Sequence, residues 1–133
     1  MKIEKRKLSP EEAEIISKAM RLTNNIMGYT AKELASFENT FVASNGKEMI
    51  GIFTYVELEN WIDLKIFIIL KEYRGKGYGR EFFDYAFKQM RGLNKSIYTV
   101  TRTPIVMRLL KEKGFAATNL FRLPVLVCCT KQR

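Results

Sequence analysis

The sequence predicts one α/β domain of the α+β type, with the element order βααβββαβαββ. Three observations carry the prediction: two helix-start signals early in the chain, an Asn45-Gly46 pair between apolar runs, and a strand feeding a glycine-rich turn that opens an amphipathic helix.

A first strand precedes Ser9-Pro10-Glu11-Glu12, which is a capping box with proline at the first helical position. The helix it starts runs to about Arg21 and is expected to bury Ile15, Ile16, Ala19 and Met20. Thr30-Ala31-Lys32-Glu33 repeats the signal and starts a shorter helix. Phe41-Val42-Ala43 and Ile50-Gly51-Ile52-Phe53 flank Asn45-Gly46, so strands two and three form a hairpin, expected to close through a type I′ turn with positive φ at both residues. Glu59-Asn60 turns the chain again, and a fourth strand covers Trp61 to Leu70. After the turn Arg74-Gly75-Lys76-Gly77-Tyr78-Gly79 comes a third helix with Phe82, Phe83, Ala86, Phe87 and Met90 on one face. Ser96 to Thr101 reads as a strand, Pro104 to Lys113 as a helix with Ile105, Leu109 and Leu110 inward, and Leu123 to Cys129 as the last strand. No repeat or linker divides the chain, which is read as a single domain over residues 1–133.

The chain has 133 residues, 47% of them hydrophobic, enough for one core. The opening Met1 to Lys7 lacks the apolar stretch of a signal peptide, and no run approaches the ~18 apolar residues of a membrane span. A cytoplasmic protein without a membrane partner is expected. Cys128 and Cys129 are adjacent, ill placed to pair with each other, and no histidine exists to share a metal with them, so buried thiols and no metal are expected. Charge is uneven: residues 1–64 carry a net −2, whereas residues 65–133 carry +11. The basic half holds the glycine turn and would draw in a polyanion.

A glycine-rich turn between a strand and a helix gathers main-chain N–H groups and the positive helix end at one point, which suits a phosphate-bearing ligand. Lys76 and Arg80 would neutralise phosphates or stand as solvated cations at a helix start. A nucleic acid is the less favoured polyanion; Tyr73 and Tyr78 are the aromatic residues that would serve it.

These residues carry a resemblance. Phe41 to Ile52, Leu64 to Gly79, and Arg102 to Phe115 with its ending Lys113-Gly114-Phe115 resemble the hairpin, cofactor motif and last helix of the GNAT superfamily of N-acetyltransferases. Arg74, Gly77 and Gly79 meet the motif of Arg or Gln, two residues, Gly, one residue, Gly or Ala. The resemblance implies a central mixed sheet flanked by helices on both faces, and transfer of an acetyl group from acetyl-coenzyme A to a primary amine by direct attack. It further implies that Gly75, Lys76, Gly77, Tyr78, Gly79 and Arg80 wrap the pyrophosphate, and that the backbone of Phe67, Ile68 and Ile69 pairs with the pantetheine arm where strands four and five part.

With no histidine, the base for such a transfer is a carboxylate, a water it orders, or solvent. Asp63, eleven residues before Arg74, matches by analogy the strand-four position of a family glutamate; being one methylene shorter, it would act through a water. Glu57 and Glu59 are the alternatives, and all three carboxylates together suit a cationic acceptor. Where many family members carry a tyrosine acid in the last helix, this chain has Leu110, which cannot donate a proton. Tyr98, Thr101 or Thr103 would replace it, or the thiolate, with a pKa of ~8.5, would leave unaided. The same absence leaves a second class open: a degenerate fold that binds acetyl-coenzyme A and transfers nothing. The apolar segment Phe121 to Cys129 suits a homodimer contact.

Overall fold

The computed structural model of the chain describes residues 1–22, 28–100, 104–120 and 123–128, the segments 117–120 and 123–128 by backbone alone. Both capping boxes form: Ser9 Oγ accepts from Glu12 N at 3.2 Å at the start of α1 (Pro10–Arg21), and Thr30 Oγ1 accepts from Glu33 N at 3.1 Å at the start of α2 (Ala31–Ser36). Arg6 grips Glu12 with two bonds of 2.8 Å, which hold that carboxyl at a pKa of about 2. On α1 the buried face is Ala13, Ile16, Ser17 and Met20; Ala19 is half-buried. Ile15, expected inside, is 48% exposed, because it lies about 100° around the helix from Ile16 and the sheet covers only one face.

The strands are β1 (Lys2–Lys5), β2 (Thr40–Asn45), β3 (Glu48–Glu57), β4 (Trp61–Ile69), β5 (Ser96–Val100), β6 (Ala116–Leu120) and β7 (Leu123–Cys128). A 3-10 turn (Lys71–Tyr73) and α3 (Tyr78–Arg91) follow β4, and α4 (Pro104–Glu112) follows β5. The seven strands form one mixed sheet in the order β1-β2-β3-β4-β5-β7-β6, with β4 and β5 parallel and every other pair antiparallel. This is the predicted order of elements. The β2–β3 hairpin forms one residue later than expected: Asn45 pairs with Glu48, Gly46-Lys47 make the loop, and only Gly46 has positive φ, at 66°. Extending β2 by Asn45 satisfies one more ladder pair and leaves glycine alone to take the left-handed conformation.

Helices cover both faces. Ala13, Ile16, Met20 and Leu34 of α1 and α2 pack with Val42, Ile52, Ile66 and Ile68 on one side. Phe82, Phe83, Ala86, Phe87 and Met90 of α3, with Leu109, Leu110 and Phe115, pack with Phe53, Ile62, Leu64 and Ile69 on the other. A bulge sets this division along β4: Tyr55 pairs with Leu64 and Thr54 with Ile66, leaving Lys65 without an opposite number. One extra residue reverses the alternation. Ile62 and Leu64 therefore face α3 before the bulge, and Phe67 and Ile69 face it afterwards.

Thr101, Thr103 and Cys129 lie outside the described residues, as do the side chains of the expected dimer segment. Among the described residues no helix is long and apolar enough to cross a membrane.

Candidate active site

Strands β4 and β5 run side by side only from Trp61 opposite Ser96 to Asp63 opposite Tyr98. Thr99 Oγ1 adds one link, donating to the Leu64 carbonyl at 2.8 Å. Beyond it the strands part, because the bulge at Lys65 bends β4 whereas β5 continues straight along β7, pairing from Ile97 with Cys128 to Val100 with Val125. Residues 66–69 of β4 keep their partners in β3 and, among the described residues, have none in β5.

The opening is a cleft of about 400 Å³ lined by Phe67, Ile68, Ile69, Arg74, Gly75, Gly77, Gly79 and Arg80, with Ile105, Val106 and Leu109 on the α4 side. All the cofactor residues expected from sequence line it except Lys76 and Tyr78. Lys76 lies over the Tyr73 ring, 6.0 Å from its centre, and the Tyr78 ring meets the same ring edge-on. Tyr73 in turn donates to the Glu48 carboxylate, which pushes its own pKa up to about 12. The α4 residues were missed as cleft residues because periodicity marks Ile105 and Leu109 as core; Ile105 is in fact 57% exposed, at the cleft edge.

The glycine turn is held to the strand it leaves: Arg74 Nε donates to the Ile69 carbonyl at 2.8 Å. Gly75 and Gly77 have φ of 76° and 86°, which other residues adopt at a cost, and a Cβ at either would meet only open space. Gly77 is the N-cap of α3 and supplies no capping side chain. The N–H groups of the first turn of this 14-residue helix therefore open on the cleft without a side-chain acceptor, which is the arrangement that takes a phosphate.

At the mouth, Arg80 is already engaged, with bonds of 2.5 and 3.3 Å to Glu112 of α4. The pair is exposed, so it is held weakly and Arg80 is open to exchange with another anion. Glu112→Gln frees the cation and removes a nearby anion, so an anionic ligand of the cleft should bind about two- to fivefold more tightly at low salt, with the gain vanishing at high salt. Calorimetric titration with coenzyme A checks this; unchanged or weaker binding would remove Arg80 from the anion seat.

Where the strands part, on the face toward α1 and α2, a polar cluster gathers. Lys65 Nζ donates to Asp63 Oδ2 at 2.7 Å, and this bond raises the lysine pKa, so Lys65 stays charged. Tyr98, opposite Asp63 in the ladder, is half-buried; burial first, and then the Asp63 charge, raises its pKa. Tyr29, on the α1–α2 connection, is also shifted upward, by burial and by Asp63, with Lys65 opposing. Asp63 and Tyr98 are thus brought together. A lysine in a strand reads as surface in the sequence, so Lys65 carries no site signal there; strand alternation, two residues on, puts it on the face of Asp63.

Glu57 and Glu59 are not brought to this point. They sit at the β3–β4 turn, the end of β4 remote from the glycine turn, where Glu57 pairs with Lys95 at 2.8 Å and Glu59 is exposed. With Asp63 bound by Lys65 and Glu57 by Lys95, the three carboxylates do not form the acidic patch expected to attract a cationic acceptor. Leu110 is fully buried in the core and does not face the cleft.

Solved structures share this architecture. Ard1 from Thermoplasma volcanium is 18% identical, with a TM-score of 0.72, covering 95% of this chain and 93% of that one. The yncA protein of Salmonella typhimurium, solved with its cofactor acetyl-CoA, is 13% identical with a TM-score of 0.74 over 100% of this chain and 95% of that one. Diaminobutyrate acetyltransferase EctA from Paenibacillus lautus, in complex with L-2,4-diaminobutyric acid and coenzyme A, is 12% identical with a TM-score of 0.72 over 99% and 97%. A search of the curated proteins finds no sequence match. At such identities the shared fold is what these structures establish. The family model for acetyltransferases (GNAT) goes further: it matches residues 8–115, a span that takes in the hairpin, the parting strands, the glycine turn and α4, and the chain belongs to that family.

Proposed function

We propose that this acetyltransferase transfers the acetyl group of acetyl-coenzyme A to a primary amine by direct attack in a ternary complex. The observation that carries the reading is the parting of β4 from β5 with a glycine turn at its far end. A long, flexible ligand with a phosphate group suits such a cleft: main-chain N–H groups of residues 75–80 meet the phosphates, the β4 edge at Phe67, Ile68 and Ile69 takes the arm as an added strand, and Val106 and Leu109 cover its apolar side. Asp63 lies six residues from Ile69, about 20 Å along the strand, past the residues that line the cleft and at the last pair that β4 makes with β5.

The cosubstrate supplies the acyl group as a thioester. Residues of the chain supply proximity, orientation and proton transfer. A β4 main-chain N–H at the Asp63 end of the parting would polarise the carbonyl; the Ile69 N–H that the family analogy suggests lies about 20 Å from Asp63, too far to act on the same centre. Asp63, through a water, takes the proton that the amine gives up on forming the amide bond. Tyr98, opposite Asp63 in the ladder and protonated at neutral pH, is the group that would protonate the thiolate released when the carbon–sulfur bond breaks.

Thermal unfolding with acetyl-coenzyme A, against an oligonucleotide at low and physiological salt, tests the reading. Cofactor at about 100 times its dissociation constant should stabilise the protein by about 2.7 kcal/mol, several degrees for a domain of this size. Thiol release on adding amines then separates an enzyme from a protein that binds acetyl-coenzyme A without turnover. A salt-sensitive shift with the oligonucleotide alone would overturn the proposal.

A further inference from the structure

The acceptor class can be read from the charge balance where the strands part. Asp63 and Lys65 bond to each other at 2.7 Å, and their side chains are only 13% and 26% exposed. Tyr29 and Tyr98 flank the pair and bring no further charge at neutral pH. A sheltered carboxylate already matched by an ammonium is a poor seat for a second cation: two positive groups would share one anion, and the basic surroundings, +11 over residues 65–133, would add to the repulsion. An amine with no other charge would have to part the ion pair and offer nothing to Lys65.

An acceptor carrying one charge of each sign meets neither penalty. Its carboxylate takes Lys65, its amine takes Asp63, and one internal ion pair becomes two intermolecular ones with no change in net charge. The two centres of an α-amino acid are separated by a single carbon, a spacing matched to charges in direct contact. We propose that the acceptor is a small amine bearing its own carboxylate, an amino-acid-type zwitterion, recognised by exchange of the Asp63–Lys65 pair. The exchange also frees Asp63 to receive the amine proton. Lys65 is thereby a specificity residue, and the carboxylate of the acceptor releases the base. The proposal rests on the acetyltransferase reading above.

The test measures thiol release from acetyl-coenzyme A with the twenty common α-amino acids, with the same compounds as carboxamides, and with spermidine. At least one amino acid should be turned over with a kcat/KM about tenfold or more above its amide. In Lys65→Gln that ratio should fall toward one through a raised KM for the acid, whereas Lys65→Arg should keep it. A preference for spermidine or the amides, no turnover of any amino acid by a protein that binds acetyl-coenzyme A, or a ratio that survives in Lys65→Gln would overturn the proposal. The thermal shift with acetyl-coenzyme A, run on all three proteins, reports separately on the reading beneath it: its absence in the unaltered protein removes the cofactor site itself.

Discussion

Gly79→Asp should weaken acetyl-coenzyme A binding by about 100-fold or more while leaving the unliganded protein folded. The residue is in the first turn of α3 and lines the cleft. A Cβ there would meet only Ile69 Cγ1, at 3.5 Å, an ordinary contact, and the backbone is not left-handed, so the protein can accept the side chain. An acidic residue in the first turn of a helix is even mildly stabilising, by about 0.3–1 kcal/mol. The same carboxylate would occupy the phosphate seat and repel its charge, a juxtaposition that costs several kcal/mol. Gly77→Asp, which looks equivalent in the sequence, is a poorer test: φ there is 86°, so the substitution adds backbone strain to the electrostatic effect. Titration calorimetry with acetyl-coenzyme A, alongside the melting temperature of the free variant, reads the result. Binding within about threefold of the parent would exclude the turn as the phosphate site.

The second large effect is steric rather than electrostatic. Gly51→Ala should destabilise the fold by roughly 2–4 kcal/mol, a fall of about 10 °C in melting temperature. Gly51 lies in β3 opposite Ile69, and a Cβ would come within 2.2 Å of the Ile68 carbonyl oxygen and 3.0 Å of Ile69 Cδ1. A backbone atom cannot rotate aside as a side chain can, so the strands must separate. The strain falls at the end of β4 that lines the cleft, and the surviving folded protein should also lose affinity for acetyl-coenzyme A. Denaturant unfolding checks the stability and calorimetry the affinity; a variant within 0.5 kcal/mol of the parent would show that the β3–β4 contact relaxes freely.

The elements legible in the sequence were those with local causes. Ser9 and Thr30 cap helices through bonds to residues three positions away, and Phe82, Phe83, Ala86, Phe87 and Met90 share a face by periodicity alone; all appear as expected. The glycine turn was equally local, since two of its glycines need positive φ wherever the chain goes next. The misplacements came where a neighbouring strand decides. Ladder pairing moved the hairpin turn onto Gly46-Lys47, and the sheet chose Ile16 over Ile15.

By itself, then, the sequence determined the order of the elements, the capped helices, the glycine turn and its resemblance to an acetyl-coenzyme A site, because each depends on residues near one another in the chain. Only the tertiary structure decided which charges meet. Arg80 to Glu112, Glu57 to Lys95, and Tyr98 across the ladder from Asp63 are partnerships set by packing and strand register. Coulomb energy depends on separation in space and on shelter from water, and neither is written in sequence distance. A run of carboxylates that reads as a seat for a cation therefore has, once folded, two of its members, Glu57 and Asp63, already matched by lysines.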